Sequence, residues 1–129
     1  MSVLHIAALV LEGLMGAFTA FAAYSLITGK PASVAKTREA LRYPSWFWLL
    51  AKIVATIGAV GLFAGVVYPA VGAAAALWMV AYFIVATGAH VVRKDMANLG
   101  MPIAFLVLAV GLVALRWGDA TPVLAAVGL

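Results

Sequence analysis

A long uncharged segment in the middle of the chain most constrains how it can fold. Residues 53–92 contain no Asp, Glu, Lys or Arg, so 40 consecutive residues carry no formal charge. A helix needs about 20 apolar residues to cross the hydrocarbon core of a bilayer, so this segment is long enough for two crossings. Tyr68 and Pro69 divide it into two apolar halves, which predicts a helical hairpin within a membrane.

The composition extends this prediction to the whole chain. Of its 129 residues, 67% are hydrophobic and 9% are charged, whereas soluble domains carry about 25% charged residues. We predict an integral membrane protein with a single domain, residues 1–129: an all-α, antiparallel four-transmembrane-helix bundle. Gly29-Lys30-Pro31 is a typical helix stop after the first span. The expected spans are 4–28, 45–67, 70–92 and 101–117, with a polar loop at 29–44 and an apolar interfacial tail at 118–129.

Basic residues are distributed unevenly between the two ends of these spans. Six lie at one end, and Arg116 alone lies at the other. Because basic residues concentrate in cytoplasmic loops, we expect a multi-pass protein of the cell membrane with both termini on the non-cytoplasmic side and loop 29–44 in the cytoplasm. Charges confined to such loops also argue against nucleic-acid binding. The six residues are Lys30, Lys36, Arg38, Arg42, Arg93 and Lys94.

Two charged residues, Glu12 and Lys52, are predicted to lie inside the first and second spans. A charge within a span costs about 2.5–3.5 kcal/mol on insertion scales, so it faces the protein interior and takes a partner. From the helical rise, their backbones differ in depth by roughly 8 Å, which two long side chains can bridge. We expect an intramembrane pair that either fixes the helix packing or forms a site for a proton, a quinone head group or a lipid.

Other residues of these spans are candidates for a cavity and for helix packing. Thr19 and Thr56 share helical faces with the two charges, and Trp78 and Tyr82 lie one turn apart in the third span. They are expected to line a cavity, or to pack in the core with their N–H and O–H groups satisfied. The opposite side of the second span carries a predicted helix-packing face, which suits another helix or another subunit. Its residues are Gly58, Gly61 and Gly65.

The basic end of the third span carries His90, Arg93 and Lys94. These residues are predicted to bind an anionic lipid head group, unless His90 only caps its helix. His5 lies at the opposite surface, about 30 Å away if both helices span the membrane, so the two histidines cannot share a metal or a haem. The chain also lacks cysteine. We therefore expect no metal and no cofactor of its own, apart from a bound quinone or lipid.

Several motifs within residues 41–95 resemble the DoxX-like family of small four-helix membrane proteins. Members often pair a lysine in the first helix with a glutamate in the second, whereas this chain has Glu12 in the first and Lys52 in the second, at shifted positions. The motifs are Pro44, the run Gly58-Ala59-Val60-Gly61-Leu62, Pro69, and Ala89-His90 followed by Arg93 and Asp95.

The resemblance implies a membrane subunit or anchor associated with redox or envelope complexes, without catalysis of its own. We expect an accessory subunit of a larger membrane-protein complex, or a homo-oligomer, in contact with membrane lipids. The alternative is a small lipid- or quinone-binding bundle, or an isomerase-like enzyme that uses Glu12 and Lys52 as an acid–base pair. A channel or transporter is a third possibility, and it requires an oligomer because four short helices cannot line a pore alone.

Overall fold

The chain is helical, as its composition predicts. The computed structural model describes residues 2–30 and 32–129, and no strand occurs among them. Three helices are long and apolar enough to cross a membrane, and a fourth span exists only if one bent helix pair is counted as a unit. The helices are α1 Val3–Thr28, α2 Ala32–Leu41, α3 Ser45–Gly65, α4 Pro69–Val92, α5 Gly100–Leu115 and α6 Trp117–Ala126, with a 3₁₀ turn at Met96–Asn98.

The uncharged segment folds back on itself at the predicted position. α3 ends at Gly65 and α4 begins at Pro69. Proline suits the first position of a helix because its φ angle is already fixed near the helical value and no N–H is lost there. The amide of Tyr68 donates to the carbonyl of Ala64 at 2.9 Å, which closes the end of α3. The sequence signal for this hairpin is therefore local and strong.

The first helix also ends where its sequence predicts. Gly29 adopts a left-handed φ of 74°, and its amide donates to the carbonyl of Ser25 at 2.8 Å. Glycine adopts this conformation without steric cost, which is why it commonly ends helices. Pro31, part of the predicted stop signal, lies outside the described residues.

The segment predicted as the loop 29–44 contains a helix, α2. Its Arg38 donates to the carbonyl of Leu26 in α1 and lies over the ring of Trp48 in α3, 5.6 Å from the ring centroid. Leu41 at its end is buried. The segment is polar, so its sequence indicates a loop. Short helices gain most of their stability from tertiary contacts rather than from intrinsic helix propensity, and here Arg38 and Leu41 make such contacts.

The fourth predicted span is broken. α5 ends at Leu115, α6 begins at Trp117, and the two axes make an angle of 94° at Arg116. The predicted span 101–117 corresponds to α5, which reaches membrane-spanning length only when α6 is counted with it. The tail predicted at the interface forms α6, which packs against α4 and buries Ala120 completely.

Small side chains dominate the core. α1 packs on α3, α3 on α4 and α4 on α5, and α5 returns to α1, which closes the set. Small residues let helix backbones approach closely, and this is how helices associate where lipid removes the hydrophobic drive. Large apolar side chains of α1, α3, α4 and α5 lie on the outer surface instead. The central cluster consists of Ala8, Met15, Leu62, Ala75, Ala76, Met79, Ala109 and Leu112.

A buried ion pair as candidate functional site

Glu12 and Arg116 form a buried ion pair. One terminal nitrogen of the Arg116 guanidinium donates to Glu12 Oε2 at 2.8 Å. The side chains are 0% exposed for Glu12 and 3% exposed for Arg116. Because removing two charges from water is costly, such a pair persists only where each charge neutralises the other. The pair connects α1 to the corner between α5 and α6.

The predicted pairing of Glu12 with Lys52 is wrong. The structure gives Glu12 a different cation, and no carboxylate lies within 4.0 Å of the Lys52 ammonium among the described side chains. The prediction placed Arg116 at the non-cytoplasmic end of the fourth span, away from Glu12. The bend instead turns Arg116 into the core, where it reaches Glu12.

Backbone hydrogen bonds hold Arg116 at this corner. Its amide donates to the carbonyl of Leu112 at 2.9 Å, as in the last turn of a helix. Its carbonyl accepts from the amides of Asp119 and Ala120 at 2.9 and 2.8 Å, as in the first turn of the next helix. Arg116 is thus the cap residue of both helices, and its side chain extends towards Glu12 of α1.

Two glycines make room for the other carboxylate oxygen, Glu12 Oε1. A Cβ atom on Gly72 would overlap this oxygen, and one on Gly65 would lie 2.7 Å from it and overlap the backbone of Gly72. Gly72 lies in the first turns of α4, where the helix dipole favours a negative charge. The sequence prediction included Gly65 in a packing face but missed Gly72.

The ion pair leaves some of its hydrogen-bonding capacity unused. Glu12 Oε1 and Arg116 Nε are both buried and have no hydrogen-bond partner among the described residues. A buried polar atom without a partner typically costs about 1–3 kcal/mol. The site is therefore held together by charge neutralisation and close packing rather than by a saturated hydrogen-bond network.

Two open grooves lie on the outer surface, and neither is lined by Glu12 or Arg116. The first, of about 360 Å³, lies between α1 and α3; the second, of about 200 Å³, lies between α3 and α4. The first is lined by Ile27, Leu49, Lys52, Ile53, Thr56 and Ile57. The second is lined by Ile57, Gly58, Gly61, Val71, Ala74, Ala75 and Trp78.

The four predicted cavity-lining residues do not meet around one cavity. Thr56 borders the first groove and Trp78 the second, whereas Thr19 and Tyr82 line neither. The indole of Trp78 donates to the carbonyl of Val54 at 2.9 Å, so it connects α4 to α3. Thr19 is buried in α1. Tyr82 is half-buried and packs edge-on against its neighbour in sequence, a core-packing arrangement.

The three predicted packing glycines face α4 of the same chain. A Cβ on Gly58 would overlap the sulfur of Met79, and one on Gly61 would lie 2.9 Å from the Cβ of Ala75. Gly65 faces Gly72, as described above. α4 therefore packs on this face at all three glycines, while Gly58 and Gly61 also border the second open groove.

The three predicted head-group residues have different surroundings in the structure. His90 Nδ1 lies 2.9 Å from Asp95 Oδ2, and Asn98 donates to both oxygens of Asp95, so the histidine takes part in a local closure after α4. The Arg93 guanidinium lies over the ring of Tyr43, 4.5 Å from its centroid. Lys94 is exposed.

The model of the DoxX-like family matches residues 10–112 of the chain. The chain belongs to the DoxX-like family. The suspected relationship is therefore confirmed over most of the sequence, and with several membrane-length apolar helices it indicates a multi-pass membrane protein. Comparison with curated proteins and with solved structures gives no significant match.

The family match includes Glu12 but ends before Arg116. In this DoxX-like protein, the partner of the buried carboxylate therefore comes from the C-terminal part beyond the matched region. One sequence signal could have identified it: Arg116 is flanked on both sides by apolar segments. A single cation in such a position is a candidate for burial as well as for a loop.

Proposed function

We propose that this DoxX-like protein is a non-catalytic membrane subunit that serves as an accessory or anchoring component of a larger membrane complex. The observation that supports this is the Glu12–Arg116 pair, in which the buried charges neutralise each other beside tightly packed glycines. An acid or base needs access to a substrate atom within hydrogen-bonding distance. Neither outer groove reaches Glu12.

The isomerase-like alternative receives less support from this arrangement. It requires Glu12 and Lys52 to act across one cavity. Glu12 instead contacts Arg116, whereas Lys52 borders the groove between α1 and α3. A lipid-binding role that does not use Glu12 remains compatible with the geometry.

For the membrane arrangement, we infer that α5 and α6 together act as a fourth, broken span, so that the long helices alternate in direction. The positive-inside rule assigns the basic residues of α2 and of the segment after α4 to the cytoplasmic end. With four spans, both termini then lie on the non-cytoplasmic side. A reporter enzyme fused after Leu129 is expected to register outside the cytoplasm. Activity of a cytoplasm-specific reporter at that position would contradict this orientation.

A partner complex would be contacted mainly within the membrane. Outside the long apolar helices, the described chain offers only α2 and short connections at one end, and α6 packed on α4 at the other. Specific contacts with another protein would therefore use exposed apolar side chains on the outer surface of the long helices, such as those of α1 and α3.

Photo-crosslinking in native membranes tests the accessory role. A photoreactive residue at Val60, 64% exposed on α3, or at Phe21, 59% exposed on α1, is expected to crosslink a distinct membrane protein in constant ratio. The matched control is Leu62, two residues from Val60 and 0% exposed, which should crosslink only within the chain. Crosslinks from exposed positions on both helices to lipid or to second copies alone would refute the proposal.

A further inference from the structure

Lys52 is a charged residue within α3 that has no acidic partner among the described residues. The chain has four acidic residues in total. Glu12 is neutralised by Arg116 and Asp95 bonds His90, and no carboxylate lies within 4.0 Å of the Lys52 ammonium among the described side chains. A cation in a membrane span either takes a counter-charge or extends to the interface, and no described residue supplies a counter-charge to Lys52.

The surroundings of Lys52 form an open apolar groove on the membrane-facing surface. The groove has a volume of about 360 Å³, and its walls are formed by exposed aliphatic side chains. Thr56, its other polar residue, donates its hydroxyl to the backbone carbonyl of Lys52 at 2.8 Å, so its donor is already used. The groove therefore presents one cation and a hydrocarbon surface. The aliphatic residues are Ile27, Leu49, Ile53 and Ile57.

The direction of α3 aims Lys52 towards the nearer membrane surface. Lys52 lies seven residues after the start of α3 at Ser45, which corresponds to about 10 Å of helix. Side chains on a helix lean towards its N-terminus, and long lysine side chains extend their ammonium to the interface. The ammonium is thus directed towards the level of the lipid phosphates at the end where α2 lies.

A second cation lies at the same end of the groove. Arg38 of α2 contacts the carbonyl of Leu26 and the ring of Trp48, and each of these residues immediately precedes a residue that lines the groove. Its Nε atom is buried without a hydrogen-bond partner among the described residues. Arg38 therefore places a second positive charge near this end of the groove, although Lys52 is the cation that lines it.

We propose that the groove between α1 and α3 binds an anionic phospholipid, with its phosphate paired to Lys52 and one acyl chain along Ile27, Ile53 and Ile57. A neutral isoprenoid or a zwitterionic lipid would contact the apolar walls of the groove but supply no net counter-charge to Lys52. A helix of another protein would need an acidic residue at this depth. This site is independent of the proposed accessory role, because it uses neither the ion pair nor a protein partner.

Lipid retention measures this site directly. The full chain is reconstituted with equal amounts of phosphatidylglycerol and phosphatidylcholine, extracted in mild detergent and analysed by native mass spectrometry. Wild-type protein is expected to retain phosphatidylglycerol about fivefold over phosphatidylcholine, the size of one lysine–lipid charge interaction near a membrane surface. Lys52→Met should bring the ratio close to one, whereas Lys52→Arg should preserve it.

Lys36→Met is the matched control, because it removes one positive charge from an exposed position on α2, outside the groove. It should retain the wild-type lipid ratio. An equal loss in both methionine variants would show a general effect of net charge and refute the site. Retention of phosphatidylglycerol by Lys52→Met, or retention of a neutral lipid by the wild type, would refute it as well. Circular dichroism verifies folding, and Lys52→Met removes a charge from a span, so insertion should not suffer.

Discussion

Replacing Glu12 by glutamine removes the charge opposite Arg116 while keeping the shape of the side chain. The guanidinium is 3% exposed and donates to Glu12 Oε2 at 2.8 Å, so it cannot turn to water when the carboxylate is lost. Removing one partner of a buried pair typically costs about 3–5 kcal/mol, because the other charge stays buried without compensation. We expect Glu12→Gln to lower the free energy of unfolding by this amount.

A double-mutant cycle identifies the partner of Glu12. Unfolding in mixed micelles with increasing sodium dodecyl sulfate is followed by circular dichroism for wild type, Glu12→Gln, Arg116→Met and the double variant. Residues in one ion pair show coupling energies of about 0.5–3 kcal/mol, so the double variant should be more stable than the sum of the single effects predicts. The matched cycle combines Glu12→Gln with Lys52→Met and should be additive within about 0.5 kcal/mol.

The two cycles together can refute the assignment. If Glu12 couples to Lys52 and not to Arg116, the corner between α5 and α6 does not hold the partner, and the ion pair described above is wrong. If neither cycle shows coupling, Glu12 is not stabilised by a charge at all. Only coupling confined to Arg116 agrees with the structure.

Three further predictions concern single contacts. Gly72→Ala places a methyl group against Glu12 Oε1 and should lower the free energy of unfolding by about 1–3 kcal/mol. The control is Gly88→Ala in the same helix, where an added Cβ would meet no atom within 4 Å, so stability should stay unchanged or rise by up to about 1 kcal/mol. Both variants are measured by unfolding in detergent. Arg38→Met removes the contacts that dock α2, so hydrogen exchange of α2 amides should accelerate while that of α4 does not; unchanged exchange would contradict the docking role. Trp78→Phe deletes the hydrogen bond between α4 and α3 and should lower the free energy of unfolding by about 1 kcal/mol. An unchanged free energy of unfolding in the same assay would show that this hydrogen bond does not stabilise the fold.

The parts of the fold that were predictable from sequence depend on local or strongly constrained signals. The hairpin of α3 and α4 follows from an uncharged segment too long for one crossing and from Pro69 at its middle. The end of α1 follows from Gly29, whose left-handed conformation is the usual way to close a helix. These features need no knowledge of what the helices contact.

The parts that were not predictable depend on contacts between distant segments. Gly58 and Gly61 indicate close helix packing, but their spacing does not distinguish α4 of the same chain from another subunit. α2 lacks an apolar pattern, and its position depends on Arg38 reaching two other helices. The partner of Glu12 could not be predicted because residue depths were estimated from the rise of straight helices, and this estimate does not anticipate the bend at Arg116.

The break at Arg116 connects three of these outcomes. α5 has 16 residues and is about 24 Å long, short of the roughly 30 Å hydrocarbon core. A helix that stops early leaves its last residue within the apolar layer, where a cation needs a counter-charge. Glu12, about 13 Å along α1 from its start at Val3, supplies that charge. The remaining chain then turns by 94° and packs Ala120 into the core as part of α6. The short helix α5, the buried arginine and the packed tail thus all meet at one bend, where the ion pair connects Arg116 to α1.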